Sequence, residues 1–374
     1  MFRAFSVHAT PPQILRIVLT PQPELTIYSD SSVTNTIEST TNLIHANWVV
    51  LTNLIVTQSP YFFVDTSATT KQGRFYRVAQ PPTPPPVGMV LIPAGSFTMG
   101  DSLDGNTSTA PLHTVDVSDF YMDTNLVTYS QWQSVYNWAI QNGYTFQNAG
   151  SGKAANQPVQ SIGWYDAVKW CNARSEMGKL IPAYYEDNNG NVIYRTGNVD
   201  LDNSWVYFNE GYRLPTEAEW EKAARGGSSG LRFPWGYTID WNSANYQSGT
   251  VYYSYDHAYQ EGYDPTFDYA GQQMPYTSPV GYFAANGYGL NDMAGNVEEW
   301  CWDWYGASYY SSSPGTNPLG PTSGSLRVTR GGSWQDTAPS CRTANRGAGS
   351  VHSGSGANYI GFRCVRGQPG QISN

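Results

Sequence analysis

GYRLPTEAEWEKAARGG, residues 211–227, holds the most legible helix in the chain, and the fold is read outward from it. Thr216, followed three residues later by Glu219, forms a capping box in which each side chain answers the other residue's backbone N–H. Ala218, Ala223 and Ala224 favour helix, and Gly226 ends it. Two more helices are predicted upstream. VTYSQWQSVYNWAIQNG (127–143) repeats apolar residues at helical spacing and stops at Gly143, and SIGWYDAVKWCNARSEMG (161–178) sets Ala167, Trp170 and Cys171 on one face. Three short helices leave most of the region from 87 to 368 to strands and loops, which predicts an α+β fold of high loop content.

Composition agrees. The 374 residues include 28 Tyr, 13 Trp, 37 Gly and 24 Pro, while only 13% are charged, the signature of rings packed on irregular backbone. The first ~80 residues have another texture: ELTIYSDSS, TNTIEST, NWVVLTNLIV, PYFFVDTS and GRFYRVAQ are β-prone runs separated by turn residues. They predict a small all-β sandwich. PPTPPPVG (81–88) then reads as a semi-rigid extended spacer. The expected boundaries are 1–80 for the β module, 81–86 for the linker, 87–368 for the α+β domain and 369–374 for a tail.

A net charge of −9 with scattered Lys and Arg offers nothing to grip a phosphate backbone, so nucleic acid is not an expected partner. No run of 18 apolar residues exists, so no membrane span is expected. The start, MFRAFSVHATPPQILRIVLT, matches a secretory signal poorly. Cys171, Cys301, Cys341 and Cys364 are widely spaced without a CxxC pair, which excludes zinc-ribbon spacing and leaves room for one or two disulfides of open connectivity. The five histidines show neither HExxH nor HxH.

Six blocks carry a resemblance. MVLIPAGSFTMG (89–100), GYRLPTEAEWEKAARGG (211–227), FPWG (233–236), GYGLNDMAGNVEEW (287–300), RVTRGGSW (327–334) and GFRCVRG (361–367) stand in the order found in the formylglycine-generating enzyme, or sulfatase-modifying-factor, family. The resemblance implies a C-type-lectin-like fold. NWVVLTN, FFVDTSA and RFYRV resemble, more distantly, the fibronectin-III-like modules of secreted bacterial proteins, which points to an extracellular or surface location. Family membership determines fold better than chemistry, because sites are grafted on folds.

Catalytic members of the family resemble an oxidase that holds Cu(I) between two thiolates spaced Cys-x4-Cys just after the Gly-Gly-Ser turn. Here the second position is Cys341 and the first is Asp336. A carboxylate is a hard ligand and does not replace a thiolate for Cu(I), so no copper is expected and the degenerate pair is read as non-catalytic. Cys341 is then read as a small buried hydrophobe or half of a disulfide. The resemblance further implies that Cys171 and Cys364 lie together, with Cys301 and Cys341 a remoter pairing. It also implies calcium, through a motif that reads Asp292, Gly295, Val297 and Glu299 here, with side-chain oxygens at its ends and backbone carbonyls between. A second calcium site would begin at Asn245 and Tyr246, although its downstream ligands do not align.

Between the SW of the Gly-Gly-Ser-Trp turn and IGF, residues 335–359 are small, polar and without periodicity, which predicts a surface loop of recognition-type composition. The candidate ligand contacts are Trp334, Gln335, Asp336, Thr337, Pro339, Asn345, Ser350, His352, Ser353, Asn358 and Tyr359. Some proteins of this fold resemble the variable proteins of diversity-generating retroelements, whose last ~50 residues are rewritten at adenine-containing codons. The expected function is therefore non-catalytic binding or display of a protein or glycan ligand. Two alternatives stay open: a formylglycine-generating-type oxidoreductase acting on protein, weakened by Asp336, and a structural surface protein.

Overall fold

The computed structural model of the chain describes residues 13–19, 23–28, 34–40, 49–55, 57–58, 61–68, 74–79, 85–103, 109–208, 211–267, 274–351 and 357–367. These divide into two compact units, Met1–Pro84 and Pro85–Asn374. The division falls within the Pro-rich segment.

In the first unit, β1 (Gln13–Leu19), β2 (Pro23–Tyr28) and β5 (Tyr61–Val64) form one antiparallel sheet in the order β1-β2-β5. A second sheet has the order β4-β3-β6, from β3 (Thr34–Thr40), β4 (Val49–Ile55) and β6 (Phe75–Ala79). Leu25 and Ile27 of the first sheet bury themselves with Ile37 of the second, backed by Leu51, Leu54, Phe63, Tyr76 and Val78. Alternating inward residues from two sheets are what make a sandwich core.

The second unit carries the three helices. α1 (Tyr129–Gln141) is capped by Thr128 and Gln131, α2 (Trp164–Met177) ends at Gly178, and α3 (Glu217–Arg225) has the Thr216–Glu219 capping box and stops at Gly226 with φ 57°. Strand β10 (Phe120–Asp123) pairs with both β7 (Met89–Ile92) and β15 (Val365–Gly367), so the two ends of this unit share one sheet. β8 (Gly95–Met99) and β9 (His113–Val117) form a ribbon. The remaining sheet has the order β13-β12-β11-β14, from β11 (Glu298–Trp304), β12 (Leu326–Arg330), β13 (Gly347–Ser350) and β14 (Ile360–Gly361).

β11 separates two apolar clusters. Trp300, Trp302 and Trp304 join Trp132, Trp164, Trp170 and the α1 and α2 faces, whereas Cys301 joins Trp220, Val328 and the α3 face. Alternate side chains of a strand point to opposite faces, so one short element serves both cores. Arg327 of β12 is clamped between the rings of Trp164 and Trp304, at 3.6 and 3.5 Å from their centroids. Among the described residues, no helix is long and apolar enough to cross a membrane.

Candidate functional site

The site is built around the turn that leaves β12. Gly331 and Gly332 have φ 94° and 67°, and Cβ atoms added there would stand 3.2 Å from the Trp220 ring and 3.0 Å from the Cys341 sulfur. Only glycine passes that gap at positive φ. The turn is bolted to the neighbouring Gly295–Asn296 turn, since Gly295 N–H donates to the Gly331 carbonyl at 2.8 Å and Trp334 N–H to the Asn296 carbonyl at 2.9 Å. Trp334 is thereby carried inward, where it packs on Tyr263 and Tyr276 and donates from its indole N–H to the Asn358 carbonyl at 3.1 Å.

Beyond the turn, Ser333 donates from its hydroxyl to Asp336 at 2.5 Å, and Gln247 N–H donates to the Asp336 carbonyl at 2.9 Å. Burial raises the Asp336 carboxyl above the ordinary range, against the pull of its Ser333 bonds. A short 3-10 turn, Ala338–Cys341, then takes Cys341 into a cluster with Phe233, Trp241, Tyr246 and Ala294. Cys341 is fully buried, and burial, followed by the charges of Asp336, Glu298 and Asp256, pushes its thiol well up. A thiolate is the nucleophile and the metal ligand, and burial disfavours that form here.

The segment from 335 to 351 is less of a surface loop than its composition predicts. Ala338, Cys341, Arg342, Thr343, Ala344, Arg346, Gly349 and Val351 are buried. Arg342 reaches Asp101 at 3.1 Å, Arg346 holds Glu217 through two bonds at 2.6 and 2.8 Å, and Gly347–Ser350 adds to the sheet as β13. These pairings draw the backbone into the frame, and long-range ion pairs of this kind leave no trace in local composition. Trp334, expected among the ligand contacts, is likewise buried, 1% exposed, and packs beneath the surface.

The other candidate contacts divide into groups. Gln335, Asp336, Thr337, Pro339, Asn345, Asn358 and Tyr359 are half-buried, Ser350 is exposed, and His352 and Ser353 lie outside the described residues. Asn358 accepts the Trp334 indole N–H through its carbonyl, and at the next residue the fields of Glu298 and Asp336 add to burial in raising the Tyr359 hydroxyl. Glu298 was missed in the sequence. Its N–H donates to the Tyr359 carbonyl at 2.8 Å, and burial and the Asp336 charge push its carboxyl up to about 8. The doubled glutamate of NVEEW was its only signal. Tyr263 and Tyr276 had none, because they come from a long segment without periodicity.

The calcium expectation meets a different arrangement. Glu299 gives both carboxylate oxygens to Arg363, at 2.7 and 3.0 Å, so its charge is already answered. Asp292, at φ 54°, accepts the Gly281 N–H at 2.7 Å, and only its second oxygen lacks a partner. The Asn245 carbonyl accepts the Asn296 N–H at 2.8 Å, its side-chain NH2 donates to the Tyr276 carbonyl at 2.8 Å, and the Tyr246 hydroxyl donates to Asp256 at 2.6 Å. A calcium cage needs six or more oxygens, and the second Asp292 oxygen is a buried one with no hydrogen-bond partner among the described residues. The bond between Asn245 and Asn296 clamps the 245–247 strip against the Gly295 turn. A pair of thiolates for Cu(I) is missing, because Asp336 occupies one position and the other sulfur is sealed. Cys171 and Cys364, by contrast, lie with their sulfur atoms 3.6 Å apart. Cys301 and Cys341 belong to separate clusters.

With this frame described, comparison with known proteins is direct. Residues 75–368 match the sulfatase-modifying factor enzyme 1-like domain. The chain belongs to that family. The match starts at β6, whose pairing with β3 places it in the first unit, so the family boundary and the structural one differ by about a strand. A formylglycine-generating enzyme of Streptomyces coelicolor is 33% identical over 298 residues, covering 74% of this chain and 88% of that one. A serine/threonine-protein kinase of Chlamydia caviae is 32% identical over 301 residues, covering 75% of this chain but 38% of its own length. Among solved structures, the Treponema denticola variable protein 1 superposes with a TM-score of 0.56 at 29% identity, covering 80% of this chain and 97% of that one.

Proposed function

We propose that this protein is a non-catalytic binding or display protein, in which the surface around Asp336, Asn358 and Tyr359 contacts a protein or glycan ligand on a sulfatase-modifying-factor frame. The observation that carries the reading is the pair Asp336 and Cys341: a carboxylate stands where the resemblance calls for a thiolate, and the remaining thiol is 0% exposed with its proton held by burial. Such a pair supplies neither a soft metal site nor a nucleophile. The likeness to a protein named as variable supports a contact role for the same region. Diversification of the 335–359 segment is part of this proposal. A template repeat beside the gene, differing at adenines and accompanied by a reverse transcriptase, would establish it, and an isolated gene would end it.

Thiol labelling tests the main reading. Iodoacetamide applied to the native protein is expected to leave Cys341 unmodified, with alkylation only after unfolding, as read by peptide mass spectrometry. Rapid native labelling of Cys341 that Cu(I) protects against would instead favour the oxidoreductase.

A further inference from the structure

A cleft of about 630 Å3 shares no lining residue with the surface around Asp336. That volume falls within the range of small-molecule sites, about 300–1,000 Å3. Its floor is an ion pair. Arg213 makes two bonds of 2.6 Å to Glu219, and both residues are buried. The guanidinium also lies 4.6 Å from the centre of the Phe208 ring. Asp119, also in the lining, acts electrostatically on Lys222. The Arg213 and Glu219 charges are thus answered by each other, and a charged ligand would gain little from either.

Most of what the cleft presents is uncharged. Asn188, Asn203 and Thr316 supply amides and a hydroxyl, and Tyr207 and Phe208 supply aromatic surface. Arg213 lies beneath them, 2% exposed, with a buried Nε–H that has no partner among the described residues. The walls are preformed: Asn203 accepts the Trp302 indole N–H at 2.8 Å, Asn317 exchanges bonds with Ser118, and Tyr207 packs edge-on against Tyr185. A peptide would bind such a place best by extending a sheet, but the outer edge of β15 is already taken by the bridge between Val365 and Arg213.

We propose that this cleft binds a neutral carbohydrate, with hydroxyls on Asn188, Asn203 and Thr316, and a C–H face on Tyr207 or Phe208. The full chain would be screened by saturation-transfer NMR against cellobiose, maltose, lactose, diacetylchitobiose and mannobiose, with an uncharged Gly-Asn-Gly peptide alongside. At least one disaccharide is expected to bind with little salt dependence. Tyr207→Ala should weaken it about tenfold, the order expected of one aromatic contact. Thr316→Trp, which fills the cleft from a surface loop, should abolish it while Tyr359→Ala leaves it unchanged. Silence from every disaccharide, or signal from the peptide alone, overturns the proposal. So does sugar binding that survives Thr316→Trp and disappears in Tyr359→Ala, since that would place the sugar on the other surface. Unchanged thermal midpoints identify the variants that remain folded.

Discussion

At the scale of single residues, the decisive groups are buried charges that composition hides. Glu221 is fully buried and accepts from Gly100 N–H at 2.8 Å, Arg225 at 2.6 Å and Arg330 at 2.5 Å. Glu221→Gln would strand two buried guanidinium groups, and a loss of about 3–5 kcal/mol is expected in urea unfolding. A change below about 1 kcal/mol, the range of exposed pairs, would mean that water already screens the pair. Asp303 behaves oppositely: burial, and then the charge of Glu217, push its carboxyl up to about 8, although it accepts the Glu217 N–H at 2.8 Å. Between about pH 4, where an unfolded aspartate titrates, and that raised value, the folded protein binds more protons than the unfolded one. Its contribution to stability is therefore full below about pH 4 and is lost as pH rises through about 8. Asp303→Asn keeps an acceptor for the Glu217 N–H but cannot ionise. Its stability relative to the parent should rise from pH 5 to pH 8.5, and denaturant midpoints that keep a constant difference would refute this. None of these roles was legible locally, because each depends on a partner far away in the chain.

At the scale of elements, legibility follows how local the signal is. The Thr216–Glu219 box and the Gly226 stop were readable because a helix start and end are written within a few residues. Gly226 also shows what the local reading omits: a Cβ there would stand 2.7 Å from the Gly287 backbone nitrogen. Gly226→Ala thus combines a left-handed φ with a backbone collision, and a loss of about 1–3 kcal/mol is expected, read as a lowered thermal midpoint. An unchanged midpoint would show that the two turns yield. β11 was hard to read for the opposite reason. Its two faces pack into different cores, so EEWCWDW lacks the polar–apolar alternation of a half-exposed strand. β13, with the sequence GAGS, has almost no strand propensity, and its pairing comes from β12.

At the scale of the whole molecule, the second unit is closed by contacts between its ends. β15 completes the sheet of β7 and β10, and Cys364 is brought to Cys171 across 193 positions of sequence. Under mild oxidation a Cys171–Cys364 disulfide is expected, with a mass lower by two hydrogens. Closing so long a loop stabilises by up to about 5 kcal/mol, which dithiothreitol or Cys171→Ser should remove. Two alkylatable thiols at these positions after oxidation would exclude the bond.

By itself the sequence determined the fold family, the three helices, the change of texture at the Pro-rich segment and the loss of the thiolate pair at Asp336. Each of these depends on residue identity or short-range spacing, which survives without coordinates. Tertiary structure alone decided that Trp334 packs beneath the surface, that Glu298 joins Asp336 and Tyr359, that Arg363 has claimed Glu299, and that a mostly uncharged cleft forms around Arg213. Those outcomes rest on burial and on pairings between residues tens to hundreds of positions apart, and the energy of a buried charge or an unmet donor depends on neighbours that only the folded chain supplies.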